Sequence, residues 1–313
     1  MPIPLSIMKK IVLAGGTGFI GTYLAKRYAA EGCHVSVIGR SVHEEQRNIH
    51  FVQWDGKTLG SWATELEGAD LLINLAGKSV NCRYNDDNMR EIYDSRTGST
   101  QVLGEAMAQC QTPPKLWINS STATIYRHAE DRPQDEDNGE YGKGFSVDVA
   151  RKWEQTFFNC NTPNTRKVAL RIAIVLGPHG GVMIPYRNLT KMGMGGKQGN
   201  GRQMFSWLHI EDLARIIDFI DEHTELEGIF NASAPNPVNN TKFSAAMRKA
   251  YDMSFGIPAS KFLLTLGAMV IKTETELILK SRWVLPKKLT EAGFKFQYEH
   301  IDGALENIVK LEG

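Results

Sequence analysis

The amino-acid sequence predicts an α/β protein, a doubly wound parallel sheet with a smaller carboxy-terminal lobe. Short apolar runs alternate with segments of helical periodicity as far as residue 176, which is the order of elements in parallel crossover units. The apolar runs are continuous, as is typical of strands covered by helices on both faces. With 313 residues, of which 42% are hydrophobic and 23% charged, the chain is suited to forming a large core.

The predicted elements follow one another with short connections. The first run, a helical segment and the second run together match the length of one strand–helix–strand unit. Gly32 is expected to end the first helix, because glycine is common just after a helix end. We predict strands at 10–14, 34–38, 49–54, 70–75, 116–120, 168–176 and 228–232, and helices at 19–31, 62–66, 86–109, 145–160 and 207–222.

A glycine-rich turn joins the first strand to the first helix. Gly15, Gly18 and Gly21 have a G-x-x-G-x-x-G spacing, which suits a tight turn, a close backbone approach to pyrophosphate and close helix packing. The free N–H groups of the following helix would face the phosphates. A purely structural turn is the alternative, but the position between strand and helix favours a dinucleotide site in a Rossmann-type fold. The predicted cofactor contacts here are Gly15, Thr17, Gly18, Phe19, Ile20 and Gly21.

Arg40 decides which nicotinamide cofactor the sequence favours. It follows the second strand, where an NAD-preferring site usually has Asp or Glu to bind the ribose 2′-hydroxyl. A guanidinium favours a 2′-phosphate, which Ser41 is placed to share. NADP(H) is therefore favoured over NAD, unless Arg40 is only a solvated residue after a strand.

Charge and hydropathy exclude other classes of partner. With 36 Lys and Arg against 35 Asp and Glu, the formal net charge is +1, which argues against nucleic acid. The apolar stretch at 262–271 is too short for a membrane span and is interpreted as a buried helix. The start of the chain lacks the order of a secretory signal, so we expect a cytoplasmic protein without a membrane partner. Four scattered cysteines indicate neither a metal site nor a redox pair.

Further segments resemble the extended short-chain dehydrogenase/reductases, which include sugar-nucleotide epimerases and dehydratases. These are the N-x-A-G segment Asn74-Leu75-Ala76-Gly77, the hydroxyl-rich run from Ser120 to Tyr126, and the strand from Arg171 to Pro178. Pieces at 199–214, 231–238 and 284–296 resemble an atypical epimerase-like subgroup with an uncharacterised carboxy-terminal helical segment, some members of which are labelled cell-division inhibitors.

The resemblance implies further cofactor contacts. In the subgroup, the Arg of a Ser-Arg pair on the fourth helix is expected to reach the cofactor, and Ser95-Arg96 matches it, with Glu91 earlier on the same helix. The alternative for this helix is a surface salt bridge of Glu91 with a neighbour. The other implied contacts are Asn74, Leu75, Ala76, Gly77, Ser120 and Val175.

The usual catalytic set of the superfamily is incomplete in this chain. Thr122 fills the position of the hydroxyl that hydrogen-bonds a substrate carbonyl. The Tyr-x-x-x-Lys pair is missing, since Ser146 stands where Tyr belongs and Ala150 where Lys belongs, and Y-x-x-x-K occurs nowhere in the sequence. Serine has no accessible pKa near 7 and alanine supplies no cation, so the usual proton relay is not available. Tyr126 and Tyr141 are candidate substitutes, against the alternative of a packed ring or a solvated loop.

The substrate side differs from that of nucleotide-sugar enzymes. Phe205 occupies a position where those enzymes often have an arginine that faces the diphosphate. His209 and Asp212 form a possible acid–base pair, but their spacing at a helix start fits a capping or core role better.

We predict an NADP(H)-binding oxidoreductase or epimerase-like enzyme acting on an unknown small carbonyl or alcohol substrate. The alternative is a non-catalytic NADP(H)-binding sensor or regulatory module. Residues 1–180 are expected to form the NADP-binding Rossmann domain, to which 205–235 return. Residues 181–204 and 236–313 are expected to form the substrate lobe. The substrate, the physiological partner and the oligomeric state stay open.

Overall fold

A computed structural model of the chain describes residues 8–41, 43–259 and 280–312. The buried helix predicted at 262–271 lies outside these residues. Over the described ranges, no helix has both the length and the apolar character that crossing a bilayer would require.

A seven-stranded parallel sheet forms the centre of the fold. Its strands are β1 (Lys10–Ala14), β2 (His34–Gly39), β3 (Ile49–Gln53), β4 (Leu71–Asn74), β5 (Leu116–Thr122), β6 (Arg166–Ile172) and β10 (Gly228–Ala232). The strand order is β10-β6-β5-β4-β1-β2-β3, with each neighbouring pair parallel. The predicted doubly wound α/β fold is therefore confirmed.

Helices cover both faces of the sheet. They are α1 (Phe19–Ala30), α2 (Asp86–Met107), α3 (Phe145–Asn159) and α5 (Ile210–Glu222), and a 3₁₀ turn follows β3 at Ser61–Leu66. One core contains α1 and α5 side chains such as Leu24 and Ile217. The other contains α2 and α3 side chains such as Leu103 and Phe157. Burial on both faces explains why the central strands lack alternating polar residues.

Two predicted elements are wrong in their extent. The run at 168–176 is two strands, because the chain leaves the main sheet at Ala173, and β7 (Ile174–Leu176) pairs instead with β9 (Trp207–His209). The helix predicted at 207–222 therefore begins only at Ile210. Apolar residues that form a short strand ahead of a helix match helical spacing equally well, so periodicity alone did not separate them.

The rest of the described chain forms shorter helices and strands outside the main sheet. It contains α4 (Met183–Lys191), β8 (Met204–Phe205), β11 (Val238–Asn239), α6 (Asn240–Ala250), α7 (Lys287–Glu291) and α8 (Ile301–Glu312). β8 pairs with β11, and Phe205, Phe243 and Leu305 belong to a third apolar core. β10 lies in the main sheet, while the division into two lobes stays a prediction.

Candidate functional site

A cavity of about 550 Å³ lies at the carboxyl ends of β1, β4 and β5, where α1 begins. Ligands of open parallel sheets bind in this position. Ten of the predicted site residues line it: Gly15, Gly18, Phe19, Ile20, Gly21, Leu75, Arg96, Ser120, Thr122 and Val175. Segments far apart in the sequence therefore meet at one site.

The three glycines of the loop have three different surroundings. Gly15 has a φ of +70°, and a Cβ built on it would lie 2.6 Å from Ala76 Cα. A Cβ on Gly21 would lie 2.3 Å from the carbonyl oxygen of Gly16, whereas a Cβ on Gly18 would meet nothing within 4 Å. Packing thus requires glycine at the first and third positions, and the second faces open space at the cavity.

At the start of α1, beside the cavity, the first amide groups have no acceptor within the helix. Gly18 is the N-cap and supplies no side-chain cap, and no acidic residue lies in the first turn. The first intrahelical bond at this end runs from Thr22 N to Gly18 O. The preceding N–H groups have no helical acceptor, and with the helix dipole they favour an anion there. These features fit the pyrophosphate of a dinucleotide.

Asn74 shapes the loop after β4 rather than lining the cavity. Its side-chain oxygen accepts a hydrogen bond from Ala76 N at 3.0 Å, and its amide nitrogen donates to Asn119 Oδ1 at 2.7 Å and to Thr100 Oγ1 at 3.0 Å. All three side chains are fully buried. Sequence reasoning did not identify Asn119 or Thr100, because the pairing of β4 with β5 brings Asn119 to Asn74 and the packing of α2 brings Thr100 to it.

Arg96 is the charged residue among the described residues that line the cavity. Its Nη1 donates to the carbonyl oxygens of Lys78 and Ile92, both at 3.0 Å, and its guanidinium stacks 5.3 Å from the Trp153 ring centroid. Burial lowers the pKa of Arg96 to about 10. Gly77 allows this close approach, since a Cβ there would lie 3.1 Å from the guanidinium carbon.

Glu91 does not line this cavity. It forms an ion pair with Lys78 and is 64% exposed. The salt-bridge alternative for this helix therefore describes Glu91 better than a cofactor contact does.

A second hollow, of about 390 Å³, lies beside the end of β2 and is lined by Arg40 together with residues 53–55 and 58–62. Trp54 and Trp62 lie against each other there, with ring centroids 5.0 Å apart. Within the described part of the chain Arg40 forms no ion pair, and it is exposed. Ser41 and Thr17 are also exposed, and Thr17 lies beside Gly39. This arrangement leaves a guanidinium available to a phosphate.

The two positions of the missing Tyr–Lys pair lie on the cavity wall. Ser146 and Ala150, on the first turns of α3, line the same cavity as Thr122. Thr122 Oγ1 also accepts a hydrogen bond from Thr124 N at 3.1 Å. A further phenol that sequence reasoning missed, Tyr84, lines the cavity with its hydroxyl 3.5 Å from Ser146 Oγ. It precedes α2, and no motif marks it in the sequence.

The two tyrosines proposed as substitutes lie elsewhere. Tyr126 is 2% exposed and its hydroxyl donates to Asn231 Oδ1 at 3.0 Å and accepts from Arg171 Nη1 at 2.9 Å. Tyr141 Oη accepts from Arg171 Nη2 at 2.9 Å. Arg171 in turn pairs with buried Glu154. Neither ring lines the main cavity, so the packed-ring alternative describes Tyr126, whose pKa burial raises to about 12.

His209 and Phe205 have structural roles. His209 is the N-cap of α5, with Nδ1 accepting from Glu211 N at 3.1 Å, which confirms the predicted capping role. Burial lowers its pKa to about 4. Phe205 stacks on Phe243 with ring centroids 4.1 Å apart, so its side chain is packed in the third core.

The fold and the glycine loop define the class of this molecule as a Rossmann-type α/β protein of the short-chain dehydrogenase/reductase kind. Residues 11–233 match the model of the NAD dependent epimerase/dehydratase family, and the chain belongs to that family. Residues 259–308 match a domain of unknown function, DUF1731. The predicted resemblance, including an uncharacterised carboxy-terminal segment, is confirmed.

Relatives match over nearly the whole length. The epimerase family protein YfhF of Bacillus subtilis is 32% identical over 305 residues, which are 96% of this chain and 97% of that protein. The human epimerase family protein SDR39U1 is 29% identical over 307 residues, 96% of this chain and 99% of that one.

Solved structures agree with the fold. The crystal structure of human SDR39U1 (isoform 2) with NADPH superposes with a TM-score of 0.85 at 28% identity and covers 96% of this chain and 99% of that chain. A UDP-N-acetylglucosamine 4-epimerase from Bacillus cereus gives 0.75 at 18% identity, with 97% and 96% covered. At that identity the second likeness concerns the fold alone.

Proposed function

We propose that the chain binds NADP(H) across the two hollows and uses it to exchange a hydride with a small carbonyl or alcohol substrate. The observation that carries this proposal is the open start of α1, where Gly18 leaves space and the first amides have no acceptor within the helix and no side-chain cap. The human relative crystallised with NADPH supports the choice of cofactor. In this arrangement the start of α1 holds the pyrophosphate, and Arg40 holds the 2′-phosphate.

The cofactor, when bound, supplies the hydride. The residues of this chain bind it, orient the substrate and exclude water. Thr122 is placed to hydrogen-bond a substrate oxygen, and Arg96 on Trp153 holds positive charge at the same cavity. Three sequence-based predictions stay part of this proposal: a substrate lobe formed by residues 181–204 and 236–313, a cytoplasmic location, and the absence of a nucleic-acid partner.

A non-catalytic NADP(H)-binding module is the second candidate. Ser146 and Ala150 favour it, because they occupy the cavity wall without a phenol or an ammonium of the usual relay. The two candidates differ in whether protein-bound NADPH is oxidised by any member of a broad panel of aldehydes, ketones and quinones. Retained NADPH with no oxidation across that panel would favour the regulatory module.

The cofactor assignment is tested by calorimetric titration with NADPH and NADH. Arg40→Ala is expected to weaken NADPH by roughly 1.5–3 kcal/mol, the worth of a hydrogen bond to a charged phosphate, and to change NADH little. Lys26→Ala, which removes an exposed cation from α1, is the matched control and should leave both affinities unchanged. Equal weakening of both cofactors by Arg40→Ala would contradict the assigned role.

A further inference from the structure

We propose that the substrate is an uncharged carbonyl compound with an apolar body, and that the Tyr84 hydroxyl, which lies at Ser146, binds and protonates its oxygen. This inference rests on the proposed function and adds to it the substrate class and the proton donor. It follows from the cavity wall, the charges facing the cavity and the position of Tyr84.

The wall of the cavity is apolar on several elements at once. Phe145, Val149 and Trp153 form a continuous face of α3, and Val80 and Val182 face the cavity from two loops. Trp153 and Val149 are 5% exposed. Such a surface favours the transfer of an apolar body from water.

The polar groups of the lining are nearly all neutral. Among the described residues that line the cavity there is no carboxylate and no lysine, and Arg96 is the sole charge. Its Nη1 is bonded to two backbone carbonyls and its face is stacked on Trp153. A nucleotide-sugar diphosphate would therefore lose hydration without finding a matching cluster of cations. Phe205, which stands where nucleotide-sugar enzymes often have an arginine, packs on Phe243 and supplies no cation.

Tyr84 reaches the position of the missing tyrosine from a different element. Its chain neighbour Asn85 caps α2, with the side chain accepting from Asn88 N at 2.8 Å. Its ring packs edge-on against Phe145 with centroids 5.1 Å apart. The hydroxyl is thereby held 3.5 Å from Ser146 Oγ. The segment before α2 therefore places a phenol beside Ser146, where the tyrosine of the usual catalytic pair is missing.

Arg96 replaces the missing lysine in this arrangement. Tyr84 and Arg96 line the same cavity. Burial lowers the pKa of Arg96, and the electrostatic interaction with Tyr84 partly opposes that lowering. A nearby cation favours the phenolate form. The guanidinium thus stabilises the anion that remains when Tyr84 gives up its proton.

The proposed reaction balances as follows. NADPH gives a hydride, with its electron pair, to the carbonyl carbon and is oxidised to NADP⁺. The π electrons of the C=O bond form a new O–H bond with the Tyr84 proton, so the carbonyl compound is reduced to an alcohol. The Tyr84 phenolate then regains a proton from water.

A binding measurement tests the substrate class without turnover. NADP⁺-loaded protein is titrated by calorimetry with 4-methylacetophenone, with 4-acetylbenzoate, which has a carboxylate in place of the methyl, and with UDP-glucose. We expect the neutral ketone to bind at least about tenfold more tightly than its anionic counterpart. Equal or tighter binding of 4-acetylbenzoate or UDP-glucose would overturn the substrate class while leaving the cofactor assignment intact.

Two tyrosine variants test the donor. Tyr84→Phe keeps the ring and should lower kcat for NADPH oxidation by the neutral ketone about 100-fold or more, with NADPH affinity within about threefold. Tyr141→Phe, whose hydroxyl bonds Arg171 away from this cavity, is the control and should keep the wild-type kcat.

The outcomes separate the two proposals. Unchanged kcat in Tyr84→Phe would overturn its role as donor. Bound ketone without any NADPH oxidation by wild-type protein would overturn the reaction and favour the regulatory module. Failure to bind NADPH at all would overturn the proposed function itself.

Discussion

Gly18→Ala is expected to separate cofactor binding from folding. A Cβ at Gly18 meets no protein atom within 4 Å, and its φ of −81° and ψ of −178° are accessible to alanine. Because Gly18 is the N-cap of α1, where alanine is less favourable than glycine, we expect the free energy of unfolding to fall by no more than about 1 kcal/mol. The added methyl stands where the pyrophosphate must approach the helix amides. Losing two hydrogen bonds to a charged phosphate removes roughly 3 kcal/mol of binding free energy, about 100-fold in Kd.

Gly21→Ala is the matched comparison, three residues further on. Its Cβ would lie 2.3 Å from Gly16 O, so we expect overpacking to destabilise the fold by about 1–3 kcal/mol. Chemical denaturation measures folding and calorimetry with NADPH measures binding. If Gly18→Ala bound NADPH as tightly as the wild type, the phosphate would not lie at the start of α1 and the reasoning would be refuted.

Two further predictions concern buried ionisable groups. Because burial lowers the pKa of His209 from 6.5 to about 4, the unfolded chain binds a proton between these pH values that the folded chain does not. This contribution to stability is fully present above about pH 6.5 and is lost as the pH falls to about 4, and it is worth on the order of 3 kcal/mol. The free energy of unfolding, measured by denaturation across this pH range, should fall less in His209→Asn than in the wild type. The exposed control His34→Asn should show the wild-type fall. If the two variants showed the same pH dependence, the lowered pKa of His209 would be contradicted. Glu154→Gln leaves the Arg171 guanidinium, 2% exposed, without its ionic partner. We expect it to cost about 3–5 kcal/mol of stability, against less than about 0.5 kcal/mol for exposed Glu105→Gln, and similar small costs for both would refute the argument.

The nucleotide-binding half of the site is predictable because its signals are local. Two of the requirements for glycine in the turn between β1 and α1 lie within seven consecutive residues: Gly15 has a φ of +70°, and a Cβ on Gly21 would clash with Gly16. Gly15 and Gly21 pack as such a turn requires, and Gly18 faces open space. Arg40 could be singled out in the same way, since the residue just after the second strand of this fold has a known position relative to the first helix.

The residues that sequence reasoning misplaced depend on contacts between distant segments. Tyr126 lies on the same segment as Thr122, yet β10 brings Asn231 to its hydroxyl and β6 brings Arg171. Glu91 turns to Lys78, which the loop after β4 positions. Tyr84 was not identified, because only the packing of its segment on α3 places it at Ser146.

The order of apolar runs, helical segments and glycines along the chain was sufficient to predict the sheet, the glycine turn and the family resemblance. These features depend on backbone sterics and hydrophobic periodicity, which act over a few residues. The partners of the buried polar groups and the identity of the phenol facing the cavity were decided only in three dimensions. A hydrogen bond or a stacked ring depends on distances of a few ångströms between residues that are tens of positions apart along the chain.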